Sequence, residues 1–377
     1  MAPISLGSNP PTVGLDIGSD HLRVAEVKPA GSTYTLTGYA MVAVPMGAVV
    51  EGEIVDVEAV AASIRELVRT SGLHPKNVAI GVSNQKVVVR LIDLPYMEKS
   101  ELQGAIQYQA QDYIPIPIED AILDFEVIGD YMTSSDEHMM EVLLVAAQRD
   151  MVNNAVRAVE EAGLKLQQID VTSFAIVRAL MGAAPSFLPD ENEEAGEATG
   201  IIHISSGLTN IAVIEKGVPR FTRVSAMAGN QFTQAIANSL NLTFDEAEDL
   251  KVRVGLPALD QRVMADMPPG IDPARAQTAQ DALEREVSKF IAEVRRSLDY
   301  YLTQATQVRT IRKILLTGSG AQLRALDSYL EKGLQAEVRL ADPLSWVQVV
   351  PQYAEIAQTD RMGSVAAIGL AIGGAGT

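Results

Sequence analysis

Three short runs rich in β-branched and aromatic residues, at 13–17, 22–27 and 34–43, open the ordered pattern of the chain, each bounded by Gly, Ser or Pro. This predicts an antiparallel meander of strands. From Val57 the period lengthens: Val57, Val60, Ala61, Ile64, Leu67 and Val68 share one helical face, and Gly72 stands where a helix stops. A helix of about four turns closes the first unit. Strands return over 77–94, and Ser100 with Gln103 forms a capping-box pattern ahead of a helix carrying Leu102, Ala105, Ile106 and Tyr113, ended by Pro115 and Pro117. Two further strands, at 121–128 and 139–146, precede a helix from Asp150 to Gly163. The stretch 77–163 thus reads as a small β-α-β-β-α unit inserted into the first.

Residues 190–199 (DENEEAGEAT) carry five acidic side chains and no aromatic, which predicts a solvated loop. Beyond it the opening pattern repeats: strands at 201–205, 210–214 and 221–225, a turn at Lys216 and Gly217, then a helix bearing Phe232, Ile236 and Leu240. Both parts begin strand, glycine-bearing turn, strand, as a duplicated fold would. Thr243 and Glu246 form a second capping box ahead of a helix reaching Val254. The stripe Leu283, Val287, Phe290, Ile291, Val294, Leu298 and Tyr301 predicts a longer helix, its spacing drifting from a strict heptad. The expected class is α/β, with one half over 10–189 completed by 362–377, and a second over 200–361.

Composition then narrows the function. The 377 residues, 47% hydrophobic and 21% charged, suffice for two or three domain-sized units. Thirty Lys and Arg against 48 Asp and Glu give a net charge of −18, which disfavours nucleic acid and adhesion to anionic lipid by charge alone. The absence of cysteine excludes disulfides, thiolate nucleophiles, Cys zinc sites and iron–sulfur clusters, and fits a reducing cytoplasm. The first residues lack the basic region of a signal peptide. The most apolar window, 364–377, is short and interrupted by glycines, so no transmembrane helix is expected.

The sharpest chemical motif is Gly14-Leu15-Asp16-Ile17-Gly18-Ser19, at the first strand-to-strand turn. A carboxylate at the end of a buried strand, followed by Gly and Ser, lets backbone N–H groups approach a phosphate while the Asp holds the hydrated Mg²⁺ of a nucleotide. The same residues suit a tight hairpin whose Asp satisfies the turn. At 314–321 (ILLTGSGA) a strand runs into a small-residue turn and a predicted helix over 322–330. A flat base or a phosphate can sit on such a backbone, and a plain β-to-α connection looks the same. Leu323 breaks a Rossmann fingerprint and Glu53 replaces the lysine of a Walker A loop. The four histidines, His21, His74, His138 and His203, show no zinc spacing. Ser83, in a glycine-poor variant of a nucleophile elbow, reads as structural.

Taken in order, Asp16-x-Gly18-Ser19, a weaker copy over 203–209, Ala247-Glu248-Asp249-Leu250-Lys251, Gly318-Ser319-Gly320-Ala321 and 367–374 resemble the actin/Hsp70/sugar-kinase ATPase superfamily. Leu94-Pro95, Asp112-Tyr113-Ile114-Pro115-Ile116-Pro117-Ile118-Glu119-Asp120 and Leu123-Asp124-Phe125 are similar to the PilM family of type IV pilus assembly proteins. The inserted unit resembles the extra subdomain of that family and of the bacterial cell-division actin homologue. The resemblance implies an actin-like ATPase fold, two α/β halves around a nucleotide cleft, with ATP and Mg²⁺ as cofactors. Carried over by position, it implies Asp16 for the hydrated Mg²⁺, Gly18 and Ser19 for phosphate, and Ser205 at the second phosphate turn. Glu248 and Lys251 fall to the ribose side, although an i,i+3 ion pair on a solvated helix is the alternative. Gly318, Ser319 and Gly320 fall to the adenine.

Two positions depart from the pattern. Relatives usually carry Asp-x-Gly where this chain has His203-Ile204-Ser205, and many place Glu at the position of Thr172 to orient water, a task for which a hydroxyl is too weakly basic. His203 is expected to be a core or hydrogen-bonded side chain. The resemblance therefore implies a cytoplasmic scaffold, recruited to the inner face of the cytoplasmic membrane, that holds ATP with little or no hydrolysis. It would grip the N-terminal cytoplasmic tail of a PilN-like membrane protein in the groove between the insertion and the first unit, the acidic balance suiting a basic tail. Pilus assembly ATPases and further copies of the chain are additional expected contacts. The alternatives are an ATPase switch, a sugar kinase, and a filament-forming cell-division homologue, whose amphipathic membrane helix 373–377 cannot form.

Overall fold

The computed structural model describes residues 13–31, 33–181, 197–215, 217–259, 270–305, 308 and 310–375. The chain begins with β1 (Val13–Ile17), β2 (His21–Ala30) and β3 (Thr33–Ala43), an antiparallel meander, then a short ribbon, β4 (Val49–Val50) and β5 (Glu53–Ile54). α1 (Val57–Ser71) starts where the Asp56 carboxylate accepts the Ala59 N–H, and stops at Gly72, whose φ of 69° suits a residue without Cβ. After β6 (Asn77–Val82) come β7 (Val88–Pro95), α2 (Lys99–Gln109), β8 (Ala121–Met132), β9 (His138–Gln148), α3 (Arg149–Glu161), β10 (Lys165–Val171) and α4 (Thr172–Met181).

The second half repeats the plan with β11 (Glu197–Ile204), β12 (Thr209–Glu215) and β13 (Val218–Ser225), again antiparallel, followed by α5 (Gly229–Leu240), α6 (Phe244–Val254) and α7 (Pro273–Gln304). β14 (Thr310–Thr317), α8 (Leu326–Leu334) and β15 (Glu337–Leu340) complete its sheet, and β16 (Gln348–Val349), α9 (Ala354–Thr359) and α10 (Val365–Ala375) return to the first half. The strand orders are β10-β6-β1-β2-β3-β16 and β13-β12-β11-β14-β15. Buried apolar residues of α5, α6 and α7, among them Phe232, Leu250 and Phe290, cover one face of the second sheet. Burial on this scale, at about 25 cal/mol per Å² of apolar surface, is the main force holding each half together.

The inserted unit is smaller than the sequence reading of 77–163. β6 lies beside β1 in the first sheet, parallel and in register at Leu15 and Ile80, and α3 packs on α1 through Ala155, Ala158 and Val159. Only β7, α2, β8 and β9 stand apart, as a three-stranded sheet β7-β9-β8 backed by α2. The expected Ser100 cap is absent: α2 begins two residues earlier, at Lys99 after Glu98, whose side chain makes no capping bond. The second capping box does form, Thr243 N–H donating to the Glu246 carboxylate at 2.9 Å and Glu246 N–H to Thr243 Oγ1 at 3.3 Å. β11 starts at Glu197, so the end of the predicted 190–199 loop is strand, while 190–196 and Lys216 lie outside the described residues. The helix predicted over 322–330 starts only at Leu326, because a 3₁₀ turn, Ser319–Gln322, intervenes.

α10 explains the small residues near the end of the sequence. A Cβ on Gly14 would stand 2.2 Å from the Ala367 carbonyl oxygen, and one on Gly369 1.9 Å from that of Ala175, so α10 touches the backbones of β1 and α4 directly. This packing fixes the end of β1, where the chemistry of the sequence concentrates. Among the described residues no helix is long and apolar enough to cross a membrane.

Candidate functional site

The two strand-turn-strand units meet at their turns. A Cβ added to Gly207, in the β11–β12 turn, would lie 2.5 Å from Ser19 Oγ in the β1–β2 turn, so the two loops are in contact. Between them lies a cavity with about 70 Å³ open to water, room for roughly five molecules at 10–15 Å³ each. Asp16, Gly18, Ser19, Ser205 and Ser319 line it, together with Asp20, Arg23, Thr172, His203 and Asn210, which the motif reading either set aside or did not use.

The electrostatics follow from burial. Burial pushes the Asp16 carboxyl up to about 6; Arg23, its register partner on β2, opposes this and the charges of Asp20 and Asp360 add to it. Burial also acts upward on Asp20, but hydrogen bonds from His21 and Ser206 and the charge of Arg23 hold it well below the usual carboxylate range. Arg23 is itself buried, Nε donating to Asp360 Oδ2 at 2.6 Å and Nη2 to Oδ1 at 3.3 Å. Burial and the Arg23 charge lower His203 to about 3, so its imidazole is neutral at physiological pH. Its Nδ1 has no partner and the residue is buried in the cavity wall, as expected of a core histidine. Ser19 Oγ is likewise buried without a partner.

Not every predicted residue converges here. Lys251 Nζ donates to Glu248 Oε2 at 2.7 Å and to Thr233 Oγ1 at 2.9 Å, a network joining α6 to α5 and standing off the cavity wall. Gly318 and Gly320 also lie outside the lining, and both face β11: a Cβ on Gly318 would stand 2.2 Å from the Ile204 carbonyl oxygen, and one on Gly320 2.5 Å from Ile204 Cγ2. Their lack of side chain is required by the packing of β14 on β11. Gly318 also has φ of 92°, so Gly318→Ala is expected to lower stability by about 1–3 kcal/mol from backbone strain alone, with the clash in addition, as urea unfolding would read.

Arg23 was legible in principle, since the tight turn after Asp16 folds β2 back so that residues 16 and 23 are paired. Asp360 was not: it lies 337 residues from Arg23. Asn210 Oδ1 accepts from Ser83 Oγ at 2.7 Å and from Ser173 Oγ at 3.1 Å, tying β12 to the end of β6 and to α4. Ser83 is thus a structural hydroxyl in the cleft wall. Thr172 opens α4 and sits where a Cβ on Gly81 would meet its Oγ1 at 2.5 Å.

Two duplicated α/β halves with opposed glycine- and serine-bearing turns at the cleft floor define an actin-like protein. Residues 14–266 match the family of the type IV pilus assembly protein PilM, and the chain belongs to that family. Residues 201–360 also match the cell division protein FtsA. The solved PilM-PilN type IV pilus biogenesis complex superposes with a TM-score of 0.79 at 26% identity, covering 98% of this chain and 100% of that one. Cell division protein FtsA of Escherichia coli (strain K12) is 27% identical over 216 residues, 54% of this chain and 49% of that protein, so the chain spans about half the length of that relative. FtsA of Bacillus subtilis (strain 168) is 24% identical over 370 residues, 90% of this chain and 80% of that protein.

Proposed function

We propose that this protein is an actin-like scaffold of type IV pilus assembly that holds a magnesium nucleotide in its cleft without rapid hydrolysis and grips the cytoplasmic tail of a PilN-like membrane protein. The observation that carries the nucleotide reading is the opposition of the two turns, with Ser19 Oγ left unpartnered and Gly207 bare of a Cβ that would fill the space. Asp16 would hold the hydrated cation, and Gly18, Ser19, Ser205 and Gly207 would receive the phosphates. The cation would neutralise phosphate charge in a wall that carries more carboxylates than free cations. The adenine and ribose ends of the assignment rest on Ser319 alone among residues in the lining. Hydrolysis is disfavoured because Thr172 offers no carboxylate base and His203 no charge.

For the tail, support comes from the inserted sheet. One face packs on α2 through Ile92, Leu123, Phe125, Val142 and Leu144; by strand alternation the other presents half-buried Leu91, Leu143 and Val145, with Asp93, Asp124 and Glu126 around them and Glu141 paired with Arg220 at 2.6 Å. An aliphatic strip rimmed by carboxylates suits an extended segment that is apolar and basic in alternation. A tail held there would bring the chain to the membrane through its partner.

The test is to incubate the protein with Mg·ATP and measure retained nucleotide and released phosphate, with and without a peptide of the partner's cytoplasmic N-terminus. Stoichiometric retention, negligible phosphate and saturable peptide binding are expected. Turnover abolished by Asp16→Ala would replace the scaffold with a switch ATPase, and failure to retain nucleotide would leave the peptide site alone.

A further inference from the structure

The charged side chains in the cleft wall are Asp16, Asp20 and Arg23, and the Arg23 charge is committed to Asp360 through two hydrogen bonds. Three carboxylates against one guanidinium leave a net charge of −2 at the floor. His203, the other titratable group in the wall, is buried and adds no charge. Bare phosphates entering here would meet like charge at short range.

We propose that Asp20 is a second cation-holding carboxylate of the cleft, acting beside Asp16 on the divalent ion that accompanies a nucleotide. The inference rests on the nucleotide reading given above. Asp20 is placed for this. Its Oδ1 accepts the His21 backbone N–H at 2.9 Å and its Oδ2 lies 3.0 Å from His21 Nδ1, while Ser206 of the opposite turn helps to keep the carboxylate ionised. Each carboxylate oxygen keeps a lone pair for a ligand, and outer hydrogen bonds of this kind are what orient a metal-binding carboxylate. Two further observations point to a ligand between the turns: His203, 5% exposed, lines the same wall and has a buried Nδ1 without a partner, and Ser19 Oγ is likewise buried without a partner. Polar groups left this way in an interior mark an unfilled interaction. Mg²⁺ and Mn²⁺ suit an oxygen set of one or two carboxylates completed by water and phosphate. Two carboxylates are what the cleft offers, and among the described residues no group of three acidic or histidine side chains forms a complete protein cage.

The bland alternative is that Asp20 only shapes its turn. The two roles predict opposite behaviour in the absence of metal. Mn²⁺ binding to the full chain in the presence of ADP is read from loss of the free-ion electron paramagnetic resonance signal, and ADP binding is read separately in EDTA. Asp20→Asn is expected to weaken Mn²⁺ binding about 10- to 100-fold, with Asp20→Glu restoring most of it. In EDTA the same Asn variant is expected to bind ADP as tightly as the parent or more so, because a negative charge has left the phosphate site. Mn²⁺ affinity unchanged by Asp20→Asn would overturn the proposal, as would equal weakening with and without metal. A parent protein that binds no ADP under either condition would overturn the nucleotide reading itself, and this inference with it.

Discussion

Asp360→Ala is expected to cost about 3–5 kcal/mol of unfolding free energy, because it strands a buried guanidinium. Asp360 Oδ2 accepts from Arg23 Nε and from the Tyr39 hydroxyl, both at 2.6 Å, and the two ionised side chains are 6% and 9% exposed. The pair itself adds little to stability, since removing both charges from water offsets most of their attraction. Breaking it is different. Arg23 keeps its proton at any accessible pH, and the alanine removes the carboxylate that accepts both of its side-chain hydrogen bonds. Burial, and next the Asp360 charge, raise the Tyr39 phenol well above its usual value, so it too remains a donor that loses its acceptor. Urea unfolding should show the loss directly. Replacing all three groups by apolar ones of similar size, Arg23→Met, Tyr39→Phe and Asp360→Leu, should recover most of it, because none of the three hydrogen-bonded partners is then left stranded. If the triple variant were as unstable as Asp360→Ala, packing rather than stranded charge would be the cause.

The same cluster explains why some of the cleft was readable and some was not. Asp16, Gly18 and Ser19 are adjacent in sequence and are brought to one turn by β1 and β2, so local spacing sufficed. α1 was legible because its apolar period, its Asp56 cap and Gly72 act over a few residues. The partner of a strand is a different kind of fact. Nothing in the alternation of 77–82 says whether it pairs with β1 or with β7, and the reading placed it in the insertion where the parallel pairing puts it in the main sheet. Arg23 to Asp360 and Ser83 to Asn210 are contacts over 337 and 127 residues, set only once the end of α9 and β12 are in place. Gly318 and Gly320, given to the adenine by resemblance, carry a packing requirement that local spacing does not reveal: the atoms that crowd them belong to Ile204.

Asp16→Asn is expected to abolish magnesium-nucleotide retention and at the same time to stabilise the nucleotide-free protein. The first effect follows from the role proposed for Asp16. An amide has no charge to hold a hydrated cation, so affinity should fall towards the upper end of the 10- to 100-fold range typical of groups that act on a metal from its outer shell, about 100-fold. The second follows from burial, which raises the carboxyl from 3.8 to about 6 and so makes its ionised form unfavourable in the fold. Above pH 6 the folded chain carries this unfavourable charge, while in the unfolded chain the group ionises freely. As pH falls from about 6 towards 4 the folded state takes up the proton first, and stability from this group rises. The Asn variant has no such dependence. Its advantage over the parent should therefore be greatest above pH 6, of order 1–2 kcal/mol after allowance for partial exposure, and should vanish near pH 4. Thermal unfolding of both proteins across pH 4–8 without nucleotide measures this, and saturating Mg·ATP should reverse the order at pH 7.5 by stabilising the parent alone. A parent whose midpoint did not respond to Mg·ATP would show that the cost of ionising Asp16 is not offset by a ligand in this cleft.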